Sequence, residues 1–140
     1  LIILVGSGIC LGTAISESGL SEQAAKLLTG IDKLKTVFVI LCVALLVTFL
    51  TEITSNTATT VILMPILGAV STASGIEPAL LLIPAAISAS CAFMLPVATM
   101  PNAVVYGTGE FSIKRMVKEG FALNLVGTLV VTTICYSILF

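Results

Sequence analysis

The stretch TEITSNTATT, residues 51–60, separates two apolar runs, VFVILCVALLVTFL (37–50) and VILMPILGAVSTA (61–73). It gathers Glu52, Thr54, Ser55, Asn56 and Thr57 where an ordinary membrane helix would carry apolar side chains. The run before it has 14 residues, roughly 21 Å as a helix, against the about 20 residues a span needs. Two half-length segments around a polar tip describe a re-entrant helical hairpin, which turns inside the membrane and returns to the same face. Irregular backbone at that depth is tolerated only when it is buried in protein or lines a wet cavity. The competing arrangement is one long helix whose Ser, Thr and Asn side chains bond to neighbouring helices. Pro65, in the second run, is expected to kink it.

Composition places the whole chain in a membrane. Of its 140 residues 58% are hydrophobic and 9% charged, with a mean hydropathy of +1.22. A soluble domain carries about 25% charged residues, so too few are present to coat a water-facing surface. The expected class is an all-α membrane protein surrounded by lipid. The net charge of −1 gives no basic footprint for nucleic acid. There is no His, which removes imidazole bases, and no Trp. Cys10, Cys42, Cys91 and Cys135 lie far apart without a C-x-x-C pair and read as small apolar packing residues. The opening LIILVGSGIC has neither Met nor a basic segment and reads as the middle of a membrane helix. The chain is therefore expected to be the C-terminal part of something longer.

Residues 1–16 are expected to end a transmembrane helix, with Gly6, Gly8 and Gly12 allowing close approach by a neighbour. Residues 17–35 carry Glu17, Glu22, Lys26, Asp32, Lys33 and Lys35 and suit an amphipathic arm at the membrane surface, capped by Ser21 and stopped by Gly30, or else a plain loop. The hairpin would occupy 36–74. SGIEP (74–78) is a turn, with Pro78 at a first helical position. A long small-residue-rich helix follows and stops at PVATMPNA (96–103), where Pro96 and Pro101 each remove a backbone donor. Residues 77–107 thus read as a broken transmembrane helix, 108–118 as a charged loop and 119–140 as the last transmembrane helix. Loops 17–36 and 107–119 hold three Lys or Arg each, so the count of positive charges does not orient the chain.

The two polar breaks carry the chemistry. Secondary transporters build their sites from discontinuous helices that meet near the midplane. The hairpin's second helix is expected to start at Asn56 or Thr57, and its first N–H groups have no partner within the helix. They carry partial positive charge, and Ser, Thr and Asn can cap them or donate to a carboxylate. An anion can then bind without Lys or Arg, and neither break contains one. Free carbonyls are expected near Glu52 to Thr54 and near Val97 and Ala98. With the hydroxyls they suit a hard cation such as Na⁺. Glu52 either relays protons or holds the tip together by accepting backbone N–H bonds. Asn124, alone in the last helix, reads as packing glue, and Ser88 and Ser90 as close-packing residues. Thr99 to Asn102 combines a hydroxyl, a helix start and a cap. An intramembrane hydrolase would need a base beside its nucleophile, and there is no His and no Lys at membrane depth. A channel subunit would usually show a charge ring or carbonyl filter.

TEITSNTATT, ASCAFMLPVATMPNAVVYGTG and MVKEGFALNLVG closely resemble the divalent anion:sodium symporter family, over essentially all 140 residues. The resemblance implies that this is the C-terminal half-repeat of an inverted-repeat transporter with a re-entrant hairpin and a broken helix. A matching SNT hairpin would lie upstream. It implies Na⁺-coupled uptake of succinate, malate or citrate by alternating access, not catalysis. The alternative within the superfamily is a sulfate or other divalent-anion transporter or exchanger. It implies a multi-pass protein of the inner or plasma membrane, a homodimer at full length, and a cytoplasmic 110–119 loop. It maps sodium contacts onto Thr51, Thr54, Asn56 and Ala98. It maps substrate contacts onto Ser55, Asn56, Thr57 and Thr99, with the backbone of Met100, Pro101 and Asn102. The family's usual T-P-P-N is here Thr99-Met100-Pro101-Asn102, which places a bulkier side chain and an extra N–H beside the substrate. A carrier of citrate–metal complexes or arsenite fits the SNT and PNA pair less well.

Overall fold

The computed structural model describes residues 2–20, 22, 23, 26 and 33–139. The regular elements among them are helices: α1 (Ile2–Glu17), α2 (Lys33–Thr51), α3 (Asn56–Ser74), α4 (Pro78–Ser88), α5 (Met100–Gly107) and α6 (Ile113–Leu139). The all-α class is as expected. Residues 21, 24, 25 and 27–32 of the arm expected over 17–35 lie outside the described residues, Ser21 and Gly30 included.

The polar knot interrupts the helix at residues 52–55, so the single long helix is excluded. The helices on either side are longer than the apolar runs that predicted them. α2 and α3 have 19 residues each, about 28 Å, so the argument from half-length segments does not stand. The reason is that polar residues at both ends still carry helix. α2 begins at Lys33. α3 begins at Asn56, directly behind its cap, and Thr60 Oγ1 satisfies itself by donating to the Asn56 carbonyl at 2.8 Å. α3 runs on through Pro65 and closes at Gly75, whose φ of 71° is the left-handed conformation glycine adopts without strain. Pro78 opens α4 as expected.

Contacts fix the directions. Ile40 packs with Leu80 and Leu81, and at the other end Thr51 meets Ala89, so α2 and α4 run parallel. Ile76, Tyr136 and Leu139 join the Ile40 cluster, so α3 ends and α6 ends at that same level. Val47, Ala85 and Ala89 form a second cluster with Leu63, Met64 and Leu67, which seats α4 against both α2 and α3. Two ends result. One is apolar, around Ile40 and Leu139. The other gathers residues 52–55, the end of α4, the start of α5 and the stretch of α6 from Gly120 to Asn124.

The sidedness of α6 is that of a membrane protein. Its buried face is Gly120, Asn124, Thr128, Thr132 and Cys135, and the Thr128 and Thr48 hydroxyls lie 3.4 Å apart. Leu123, Val126, Leu129, Ile134 and Ile138 are exposed. Polar groups inside and aliphatic ones outside invert the soluble pattern. α3 and α6 are both long and apolar enough to cross a bilayer.

α1 lies along α3, where Gly12 is buried against Pro65. A Cβ on Gly12 would overlap the Pro65 ring. Gly12→Val is expected to destabilise the protein by about 1–3 kcal/mol, read as a lower melting temperature of the detergent-purified full-length protein. Gly6→Val meets nothing within 4 Å and serves as the control.

Candidate functional site

Both breaks end in hydroxyl-capped helix starts. Ser55, with φ −72° and ψ 141°, accepts from Ala58 N at 3.0 Å and begins α3. Thr99, with φ −142° and ψ 154°, accepts from Asn102 N at 3.4 Å and begins α5. These are caps of the expected kind, satisfying one of the free N–H groups at each start. Pro101 sits in the first turn of α5, where its missing N–H costs nothing.

The second break differs from its expectation. α4 stops at Ser88, not near Leu95, and residues 89–99 are non-helical. The cause is Glu52. Its Oε1 accepts from Phe93 N at 2.8 Å, from Met94 N at 2.9 Å and from Asn124 Nδ2 at 2.7 Å, while Oε2 accepts from Leu95 N at 3.0 Å. Three successive backbone donors that would continue α4 instead surround one carboxylate. Glu52 is 3% exposed, and charge-assisted bonds of this kind offset its burial. Asn124 Oδ1 also accepts from Phe93 N, at 3.3 Å. Asn124 thus joins α6 to both breaks, which is more than packing glue. Asn102 folds back the other way, donating Nδ2 to the Ala92 and Leu95 carbonyls at 2.9 and 3.0 Å. The opening puzzle has its answer here: the polar tip is built to be bonded by a chain segment about forty residues away.

Thr51 makes the second link between the breaks. It is fully buried, and its Oγ1 lies 2.6 Å from Asn56 Oδ1 and 2.9 Å from the Ala89 carbonyl. One hydroxyl proton faces two acceptor oxygens. Such an oxygen cluster is of the type a hard cation can enter. Among the described residues no group of three or more His, Cys, Asp or Glu could hold a metal. Thr54 is exposed and turns its hydroxyl to the Leu50 carbonyl at 2.9 Å and to Thr59 Oγ1 at 2.5 Å. Ala98 lies in the turn before Thr99, its N–H bonded to the Leu95 carbonyl at 3.1 Å. Thr57 is exposed beside Asn56, and Met100 is 82% exposed at the start of α5. Ser88 is buried as expected of a packing residue, whereas Ser90 is exposed.

Sequence reasoning missed the Ala89 carbonyl and the N–H groups of residues 93–95. One signal could have found them. Gly120, one turn before Asn124, lies on the same helix face, and a Cβ there would come within 2.6 Å of Met94 Cα. Gly120→Ala is expected to cost about 1–3 kcal/mol of stability. Thermal denaturation of the full-length protein measures it, with Gly127→Ala, which meets nothing within 4 Å, as the control.

The sequence that forms this site matches a known family. The family described as the sodium:sulfate symporter transmembrane region matches residues 1–139. The chain belongs to that family. Members of the sodium:sulfate symporter family are transporters, not enzymes. A relative from Staphylococcus saprophyticus, described as a sodium-dependent dicarboxylate transporter, is 46% identical over 135 residues, 96% of this chain. Staphylococcus aureus proteins of the same description are 42% and 41% identical over 138 residues, 99% of this chain. The chain spans 26% of the length of these relatives.

Proposed function

We propose that the chain is the C-terminal part of a secondary transporter that couples Na⁺ entry to uptake of di- or tricarboxylates such as succinate, malate or citrate. The observation that carries this is the meeting of two interrupted helices at one end of the bundle. There the capped start of α3 carries Asn56 to the Thr51 hydroxyl, which also bonds the Ala89 carbonyl, and the capped start of α5 is tied through Asn102 to the Ala92 and Leu95 carbonyls of the same 89–95 segment. Helix starts attract a carboxylate, and the oxygens attract a cation. Each bound charge favours the other. The names of the staphylococcal relatives supply the substrate class, while the family description adds sulfate as the second anion to test.

In this reading Thr51, Thr54, Asn56 and Ala98 hold Na⁺. Ser55, Asn56, Thr57 and Thr99 bind the anion, with the Met100–Asn102 backbone. α2 and α3 form a re-entrant hairpin. The support is depth. Glu52 bonds to Asn124, which lies five residues past Glu119 and fifteen before Leu139. Those spacings are about 7 and 22 Å along α6, so the tip stops partway through the bilayer. Both arms reach back to the level of Tyr136 and Leu139. The full transporter would be a homodimer in the cell membrane, working by alternating access around an inverted-repeat site.

The test is uptake of labelled succinate by the full-length protein in proteoliposomes, comparing an inward Na⁺ gradient with an equal K⁺ gradient. Uptake only with Na⁺ is expected. Equal uptake in both removes Na⁺ coupling. Uptake of sulfate but not succinate reassigns the anion.

A further inference from the structure

We infer that Asn124 is a positioning residue for the cation site, although it reaches neither Thr51 nor Asn56 by a hydrogen bond. The inference rests on the Na⁺-coupled reading above. Residues 89–95 are held to the hairpin tip at two points. At one, Thr51 bonds to the Ala89 carbonyl at 2.9 Å. At the other, Glu52, the next residue, takes the N–H groups of residues 93–95. Ala89 is the last residue held by α4, its N–H on the Ala85 carbonyl, so the placement of its own carbonyl relative to Thr51 and Asn56 is set jointly by α4 and by where Glu52 seats the segment that follows. Asn124 controls that seat, because among the described residues its side chain is the one that bonds to both Glu52 and Phe93. Its Nδ2 donates to Glu52 at 2.7 Å, and its Oδ1 accepts from Phe93 N at 3.3 Å.

Asn124 is itself held rigidly. It is 0% exposed, in the middle of α6, and its carbonyl accepts from Thr128 Oγ1 at 2.7 Å. Thr128 in turn lies 3.4 Å from Thr48 on α2. A side chain locked on a long helix sets the register of two irregular segments more sharply than either could set its own. A shift of a few tenths of an ångström at Glu52 is passed to Ala89 and changes the oxygen spacing a cation meets.

Cys91 lies between the two attachment points, half-buried, its Sγ bonded to the Ile87 carbonyl at 3.5 Å. It reports on the segment without belonging to the site. The experiment uses the full-length transporter and two variants at Asn124. Asn124→Asp keeps the acceptor for Phe93 N and loses the amide donor to Glu52. Asn124→Gln keeps both groups on a side chain one methylene longer.

Na⁺ half-saturation and maximal rate of succinate uptake are read separately. Alkylation of Cys91 with and without Na⁺ is followed by mass spectrometry of its peptide. Asn124→Asp is expected to raise the Na⁺ half-saturation by about tenfold, keep the maximal rate per folded protein within about twofold, and speed alkylation of Cys91. Asn124→Gln is expected to raise the Na⁺ half-saturation less than Asn124→Asp. An unchanged Na⁺ half-saturation in folded Asn124→Asp protein overturns the inference. Failure of Asn124→Asp and Asn124→Gln alike to fold also overturns it, by assigning the contact to folding alone. Absence of Na⁺-dependent uptake in the wild type is a different result, and overturns the functional reading itself.

Discussion

Glu52→Ala is expected to abolish the folded hairpin tip, and with it the yield of monodisperse full-length protein. The substitution leaves the N–H groups of Met94 and Leu95 and the Asn124 amide without their acceptor, and Phe93 N with only its 3.3 Å bond to Asn124 Oδ1, around a side chain that is 3% exposed. Each buried donor left unpaired costs about 1–3 kcal/mol, so the sum rivals the whole stability of an ordinary domain. Glu52→Gln should be milder. Its carbonyl oxygen can serve the three donors now on Oε1, and only Leu95 N would face an amide in place of an acceptor. The order wild type, Gln, Ala in melting temperature is the expected result. A proton relay at Glu52 makes a different forecast: a stable Glu52→Gln protein whose uptake no longer responds to pH. The two are separated by melting and transport assays on the same preparation.

The second large effect is on transport. Asn56→Ala is expected to lower Na⁺-dependent uptake by about 100-fold or more, with the fold retained. Fold retention follows from the local structure. Asn56 is the first residue of α3, the Ser55 cap remains, and Ala is the best helix former. What is lost is Oδ1, 2.6 Å from Thr51, and with it the side chain shared by the proposed Na⁺ and anion contacts. Normal gel-filtration behaviour together with near-wild-type uptake would sink the site assignment. Weakened Na⁺ and anion binding measured separately on the same variant would support the shared role.

Some of the fold was legible from local chemistry. Ser55 and Thr99 as caps, Asn56 as a helix start, Pro78 and Pro101 in first turns and the turn at 74–78 are short-range consequences of which residues can satisfy a free N–H or do without one. The expected end of the broken helix near Leu95 failed for a long-range reason. Nothing local stops a helix at Ser88, since small residues follow it and Pro96 is eight positions further on. The N–H groups of residues 93–95 leave the helix because a carboxylate about forty residues earlier competes for them. The arm lengths failed for the opposite reason. Hydropathy runs mark where lipid is tolerated, whereas helix ends are set by caps and hydrogen bonds, so α2 and α3 extend into polar residues.

By itself the amino-acid sequence determined the class of this protein and the two capped helix starts at its breaks. Composition admits only a lipid solvent, and Ser55 and Thr99 cap the helix that follows them whatever the rest of the chain does. The tertiary structure alone decided what the breaks are bonded to. The hydrogen-bonded pairs among Glu52, Phe93 to Leu95 and Asn124 are separated by 31 to 72 positions. A buried donor must find an acceptor somewhere, but no spacing in the sequence names which one. The packing of α2, α4 and α6 brings these groups within 2.7–3.3 Å of one another, and only that convergence turns a lone acidic residue and a lone amide into a single clasp.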